Sequence, residues 1–162
     1  FGPPSSSAVL DISSFQATSG AGGVLVFAAS NNNFLLPNQN GAMVQLKNDG
    51  VLANSSGVAT MTTQGWLSLN NVLFGPQDII TPLLVLGPGT DSGVSAAGGG
   101  PLGAGAFALT EKVTLTHSGA GSSSFDKMLT AVVPEPTSVV LIGVGAALFA
   151  ASRRRRNKKA SV

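Results

Sequence analysis

The stretch "FALTEKVTLTH" (Phe107–His117) decides the fold. Phe107, Leu109, Val113 and Leu115 share one parity, while Ala108, Thr110, Lys112, Thr114 and Thr116 share the other. Successive side chains of a strand point to opposite faces, so this alternation predicts one face on a core and one toward water. Leu109, Val113 and Leu115 are expected to point inward, together with Trp66, Leu67 or Leu69. Glu111 breaks the pattern by falling on the apolar side. A bulge or an edge position accounts for it, with a buried functional carboxylate as the alternative.

Working outward, apolar and β-branched runs recur at residues 8–15, 23–29, 42–47, 58–63, 66–74, 79–86 and 124–133. The segments "TSGAGG", "SNNN", "PNQNG", "KNDG", "NSSG", "FGPQD" and "SGAGSSS" between them are rich in turn-forming residues. About eight short strands at this spacing predict an all-β, antiparallel β-sandwich of jelly-roll-like character over residues 1–132. No stretch before residue 133 has a capped helical period. Residues 87–105, "GPGTDSGVSAAGGGPLGAG", form the longest breaker-rich segment and are read as a long mobile loop, the least ordered part of the domain. Its triple glycine precedes neither a helix nor a Lys-Ser/Thr pair, so it is no phosphate-binding loop.

The residues offer little for catalysis. There is no cysteine and no tyrosine, and His117 is the single histidine. Disulfides, thiolate nucleophiles and multi-histidine metal sites are thereby excluded. His117 closes a strand before a serine-rich turn, and no G-x-S-x-G is present, so a strand-end role is expected. Asp49 in "KNDG" and Asp91 in "GTDSG" match no calcium loop and read as turn formers. The acids are scattered and not paired, which leaves glycosidase chemistry without support. Trp66, the only tryptophan, is assigned to the core before a sugar platform. The "NSS" at Asn54 fits a glycosylation acceptor and carries little weight. The reading is of a protein without cofactor, metal or enzymatic activity.

Charge is strongly segregated. All seven acids precede Thr137, against three of the nine bases, Lys47, Lys112 and Lys127. The remaining bases are Arg153, Arg154, Arg155, Arg156, Lys158 and Lys159. The sequence pI of about 9.4 therefore belongs to the tail and predicts no nucleic-acid partner. Before the basic cluster stands an uncharged run containing Val139, Val140, Leu141, Ile142, Gly143, Val144, Leu148 and Phe149. As a helix, residues 137–152 span ~24 Å at ~1.5 Å per residue, short of the ~30 Å hydrocarbon core. Arginine and lysine side chains reaching the headgroups extend that span, and their cluster stays cytoplasmic. Pro134 and Pro136 flank Glu135 and hold it in extended, exposed backbone suited to another protein's cleft.

The order Pro-Glu-Pro, short apolar span and arginine-rich end resembles the PEP-CTERM sorting signal of exported Gram-negative bacterial proteins. The resemblance covers residues 133–159. It implies recognition of Pro134, Glu135 and Pro136 by an exosortase-like membrane processing enzyme, with the inner membrane holding the C-terminal hydrophobic helix transiently. Residues 133–162 then form the sorting signal behind an exported domain. Phe1 in place of Met fits a cleaved export signal or an expression boundary. The leading functional reading is a non-enzymatic cell-surface or extracellular-matrix protein, of the kind associated with exopolysaccharide and biofilm. Its weak charge and many strand edges are compatible with self-association. The alternative is a carbohydrate- or ice-binding module using flat threonine-rich faces such as Thr110, Thr114 and Thr116.

Overall fold

The computed structural model describes residues 7–36, 39–54, 59–89 and 91–133, which form an antiparallel two-sheet sandwich of nine strands without a helix. The strands are β1 (Ser7–Ser19), β2 (Gly23–Phe34), β3 (Met43–Asn54), β4 (Ala59–Ser68), β5 (Ile79–Ile80), β6 (Leu84–Leu86), β7 (Asp91–Pro101), β8 (Phe107–His117) and β9 (Gly121–Val132). One sheet runs β1-β9-β3-β7. The other runs β2-β8-β4-β5, with β6 also on β4. The consecutive strands β1 and β2 lie in opposite sheets, as do β3 and β4, and β8 and β9. The chain therefore winds as ribbons spanning both sheets, the jelly-roll order.

The opening stretch forms β8 with the expected bounds. Leu109, Val113 and Leu115 are buried, and Leu67 joins them from β4, while Leu69 is exposed. The outer parity is only half wet, because Ala108 and Thr110 are buried as well.

Three expectations need correction. Residues 66–74 are not one strand: Trp66 continues β4, and residues 69–78 turn back over the sheet. Residues 79–86 split into β5 and β6 around Pro82, which has no amide hydrogen for a ladder. The glycine-rich 87–105 is not a loop throughout, since residues 91–101 are the edge strand β7, paired with β3. Its inward positions are small because the opposite sheet comes close. A Cβ on Gly93 would sit 2.8 Å from Leu84 Cδ1, and one on Gly99 2.7 Å from Ile79 Cδ1. The pairing also shifts register between Met43 and Gln45, so Gly99 and Gly100 sit at a bulge. Glycine here marks close approach, which composition alone cannot distinguish from mobility.

Two of the turn signals also lie inside strands. "KNDG" is mid-β3, and "SNNN" belongs to β2. In β2 the turn-forming residues serve a bulge, where Asn33 takes φ 63° and exchanges hydrogen bonds with Asn71, itself at φ 56°. Asparagine tolerates that left-handed conformation better than most residues.

The core divides in two. One part gathers Leu46, Leu67, Phe107, Leu109, Leu129 and Ala131, and ends at Val133. The other gathers Leu52, Met61, Leu86, Val113, Leu115 and Phe125. Along β8 the boundary is Glu111, and along β9 it is Lys127.

Candidate functional site

Three places on the described residues concentrate polar chemistry. The first is the boundary between the two halves of the core. Lys127 and Glu111 both have fully buried side chains, and Lys127 Nζ lies 3.1 Å from Glu111 Oε1. Lys127 Nζ also donates to Asn48 Oδ1 at 2.6 Å and to the Asp49 carbonyl. Thr63 Oγ1 reaches Glu111 Oε1 at 3.5 Å, and Glu111 Oε2 has no hydrogen-bond partner. Lys127 stands opposite Gly50 in register, and a Cβ there would come within 2.9 Å of Nζ. The glycine gives the lysine room to lie across β3 toward Asn48.

Burial pushes the Glu111 carboxyl up from its ordinary value, against the attraction of Lys127. Burial likewise pushes the Lys127 amine down, against the attraction of Glu111. Both shifts have the sign of desolvation, which disfavours the charged form of each group.

Sequence reasoning placed Glu111 at a bulge or an edge. It stands instead in a central strand, paired regularly with Ala29 and Gly65. The signal available was its wrong parity. Its partner was invisible, because Lys127 follows it by only a turn and a strand yet belongs to the other sheet. Asp49 is likewise no turn residue. It sits in mid-strand beside Lys47, at 2.9 Å. Asp91 does close a turn, its Oδ2 accepting from the Gly87 amide at 3.0 Å.

The second place is a groove of about 310 Å³ lined by residues of β1, β2 and the end of β8, among them Phe15, Leu25, Leu115 and His117. His117 ends β8, as expected, and its Nε2 is 3.0 Å from Ser123 Oγ. Its buried Nδ1 has no partner, and no carboxylate among the described residues fixes the ring's tautomer as a Ser–His–acid arrangement needs.

The third place is the outer face of the β2-β8-β4-β6 sheet. Register aligns Val24, Thr116 and Thr60 in one row, and Val26, Thr114, Thr62 and Val85 in the next. Thr116 is exposed, and Thr60, Thr62 and Thr114 are half-buried. Thr110 does not belong to this open face. It is buried and hydrogen-bonded to Ser30 Oγ at 2.7 Å, where the 69–78 turn covers the sheet. Trp66 pairs with Thr110 under the same turn and donates to the Gly75 carbonyl at 3.3 Å; it is buried, but on the sheet's outer face and in neither half of the sandwich core.

The sorting residues Pro134, Glu135 and Pro136, the apolar run through Phe149 and the cluster from Arg153 to Lys159 lie outside the described residues, as does the expected C-terminal helix. A sequence comparison covers the tail as far as Arg156. Residues 132–156 match the family model of the PEP-CTERM protein-sorting motif. The chain carries a PEP-CTERM sorting signal. The motif starts at Val132, where β9 ends, and it implies export and processing by an exosortase. No curated protein matches the chain. Among solved structures, TmCBM61 in complex with β-1,4-galactotriose resembles it at a TM-score of 0.39 and 9% identity, over 77% of this chain and 81% of that one. The enzymatically active domain of bacteriophage CBA120 tailspike protein 4 gives 0.29 and 12%, over 80% and 20%. A structure of infectious bursal disease virus, Gx strain, gives 0.27 and 11%, over 82% and 42%. Likenesses this distant carry nothing about what the PEP-CTERM chain binds.

Proposed function

We propose that the chain is a non-enzymatic cell-surface or extracellular-matrix protein, sorted through its tail by an exosortase-like membrane enzyme that reads Pro134, Glu135 and Pro136. The observation that carries this reading is where the motif begins. It starts at the last residue of β9, one position before Val133, which is buried in the core and is the last described residue. The sandwich's apolar faces are closed before the two prolines, which deny the next segment a regular ladder. The tail can then be gripped and removed without opening the core. In the native host, Glu135→Ala is expected to leave the chain membrane-held with its tail intact, while the wild type loses it. Mass spectrometry of the mature C-terminus checks this, and normal processing of the variant would sink the proposal.

The same boundary predicts the behaviour of a shortened chain. Ended at Val133, the protein is expected to fold cooperatively, with stability within about 0.5 kcal/mol of the full chain. Denaturation monitored by Trp66 fluorescence reads it. An unfolded product would make the tail structural.

A second reading is favoured by one specific feature, the two rows of threonine and valine on the outer face of the β2-β8-β4-β6 sheet. A sheet face presenting methyls and hydroxyls in rows suits a carbohydrate or an ice surface, and among matrix partners it suits exopolysaccharide. Thermal-hysteresis and glycan-array measurements are expected to give a signal that Thr62→Asp with Thr114→Asp abolishes. Clean negatives for the wild type in both assays would remove this reading.

A further inference from the structure

We propose that Lys127 and Asn48 condense inside the folded core into an isopeptide bond that joins β9 to β3. The amine meets both the amide and the acid: Lys127 Nζ contacts Asn48 and Glu111 together. Lys127 Nζ touches Asn48 Oδ1 at 2.6 Å, so with a C=O bond of about 1.2 Å the carboxamide carbon lies within about 3.8 Å of the amine. That is near the separation at which bound groups react as if highly concentrated. Glu111 touches the same nitrogen and keeps its second oxygen free of any partner. All three side chains are buried. An unprotonated amine is a nucleophile and a carboxylic acid is a proton donor, and burial pushes Lys127 and Glu111 toward those forms.

The step balances without any co-reactant. Lys127 Nζ attacks Asn48 Cγ and the Nζ–Cγ bond forms. Glu111 delivers its proton to the amide nitrogen and recovers one from the attacking amine. The Cγ–Nδ2 bond breaks, and ammonia leaves. Asn48 Nδ2 faces Ser95 Oγ at 3.5 Å, toward the edge strand β7, which gives the leaving group its exit side. Gly50 supplies the space in which the lysine side chain crosses the strand.

Such a bond would give this cysteine-free chain a covalent staple, closing the chain between residues 48 and 127 and tying down the strand that leads to the sorting signal. The inference does not depend on the proposed function. Intact-mass and peptide mass spectrometry of the purified full chain test it. The wild type is expected to weigh less than its sequence by one ammonia and to yield a branched peptide containing Asn48 and Lys127. Asn48→Asp is expected to lose one water instead and to reach the same final mass as the wild type. Asn48→Ala and Glu111→Gln are expected at their full sequence masses. Folded wild-type protein at full mass, with unbranched peptides, would overturn the proposal even if the Glu111 variant failed to fold. A cross-linked Glu111→Gln protein would remove Glu111 from the chemistry.

Discussion

Replacing Lys127 by alanine is expected to cost about 3–5 kcal/mol of folding stability, read by chemical denaturation. The lysine is held on three sides by Glu111, Asn48 and the Asp49 carbonyl. Its removal leaves the Glu111 carboxyl in a dry core with one oxygen already unpartnered. A buried polar group stripped of its partner bears the full cost of its desolvation. It also opens a gap between the two halves of the core, where the side chain now lies. The double variant Glu111→Leu, Lys127→Met is expected to be more stable than either single change, because apolar replacement removes both desolvated groups together. A covalent link to Asn48 adds to the loss on replacing Lys127. Asn48→Ala leaves the Glu111–Lys127 contact in place but removes the Asn48 hydrogen bond together with the link, so its loss sets an upper bound on the share due to the link. A Lys127→Ala chain as stable as the wild type would mean that the buried pair does not hold the sheets together.

The second large effect belongs to the triple glycine. Gly99→Ala is expected to destabilise the chain by about 1–3 kcal/mol through overpacking. Its Cβ would lie 2.7 Å from Ile79 Cδ1, 2.8 Å from Val44 Cγ1 and 2.9 Å from the Val44 carbonyl oxygen. A side-chain tip can turn aside, but that oxygen belongs to the backbone of the neighbouring strand. Gly98→Ala and Gly100→Ala meet nothing within 4 Å and are expected to stay within about 0.5 kcal/mol of wild type. The contrast between neighbours is the test. Equal tolerance at all three positions would mean that β7 does not pack against β5 as it does here.

Alternation over residues 107–117 was enough to place β8 and its buried face, because a strand's period of two is local and one apolar face must leave water. The tail was legible for a similar reason. Two prolines, an uncharged run and a cation cluster each act through their own chemistry, and their order along the chain is the signal. Turn composition was a poorer guide. In "SNNN" it marked a real left-handed residue, Asn33, yet the strand carried on through the bulge. In "KNDG" a half-buried strand overrode it entirely. The glycines of residues 91–101 were misread because absence of a side chain serves mobility and close packing alike, and only the distance to the opposite sheet tells them apart.

By itself the sequence determined the sandwich class, the inward face of β8 and the sorting signal, since each rests on patterns a few residues long. Only the tertiary structure decided the strand order, the covering of Thr110 and Trp66 by the 69–78 turn, and the meeting of Glu111, Lys127 and Asn48. Those three residues lie on strands of two sheets, and Asn48 is far along the chain from the others. No local period records such a meeting. It arises because the ribbons cross between sheets and carry β3, β8 and β9 to one level of the core, where a lone wrong-parity glutamate finds an amine and an amide within reach.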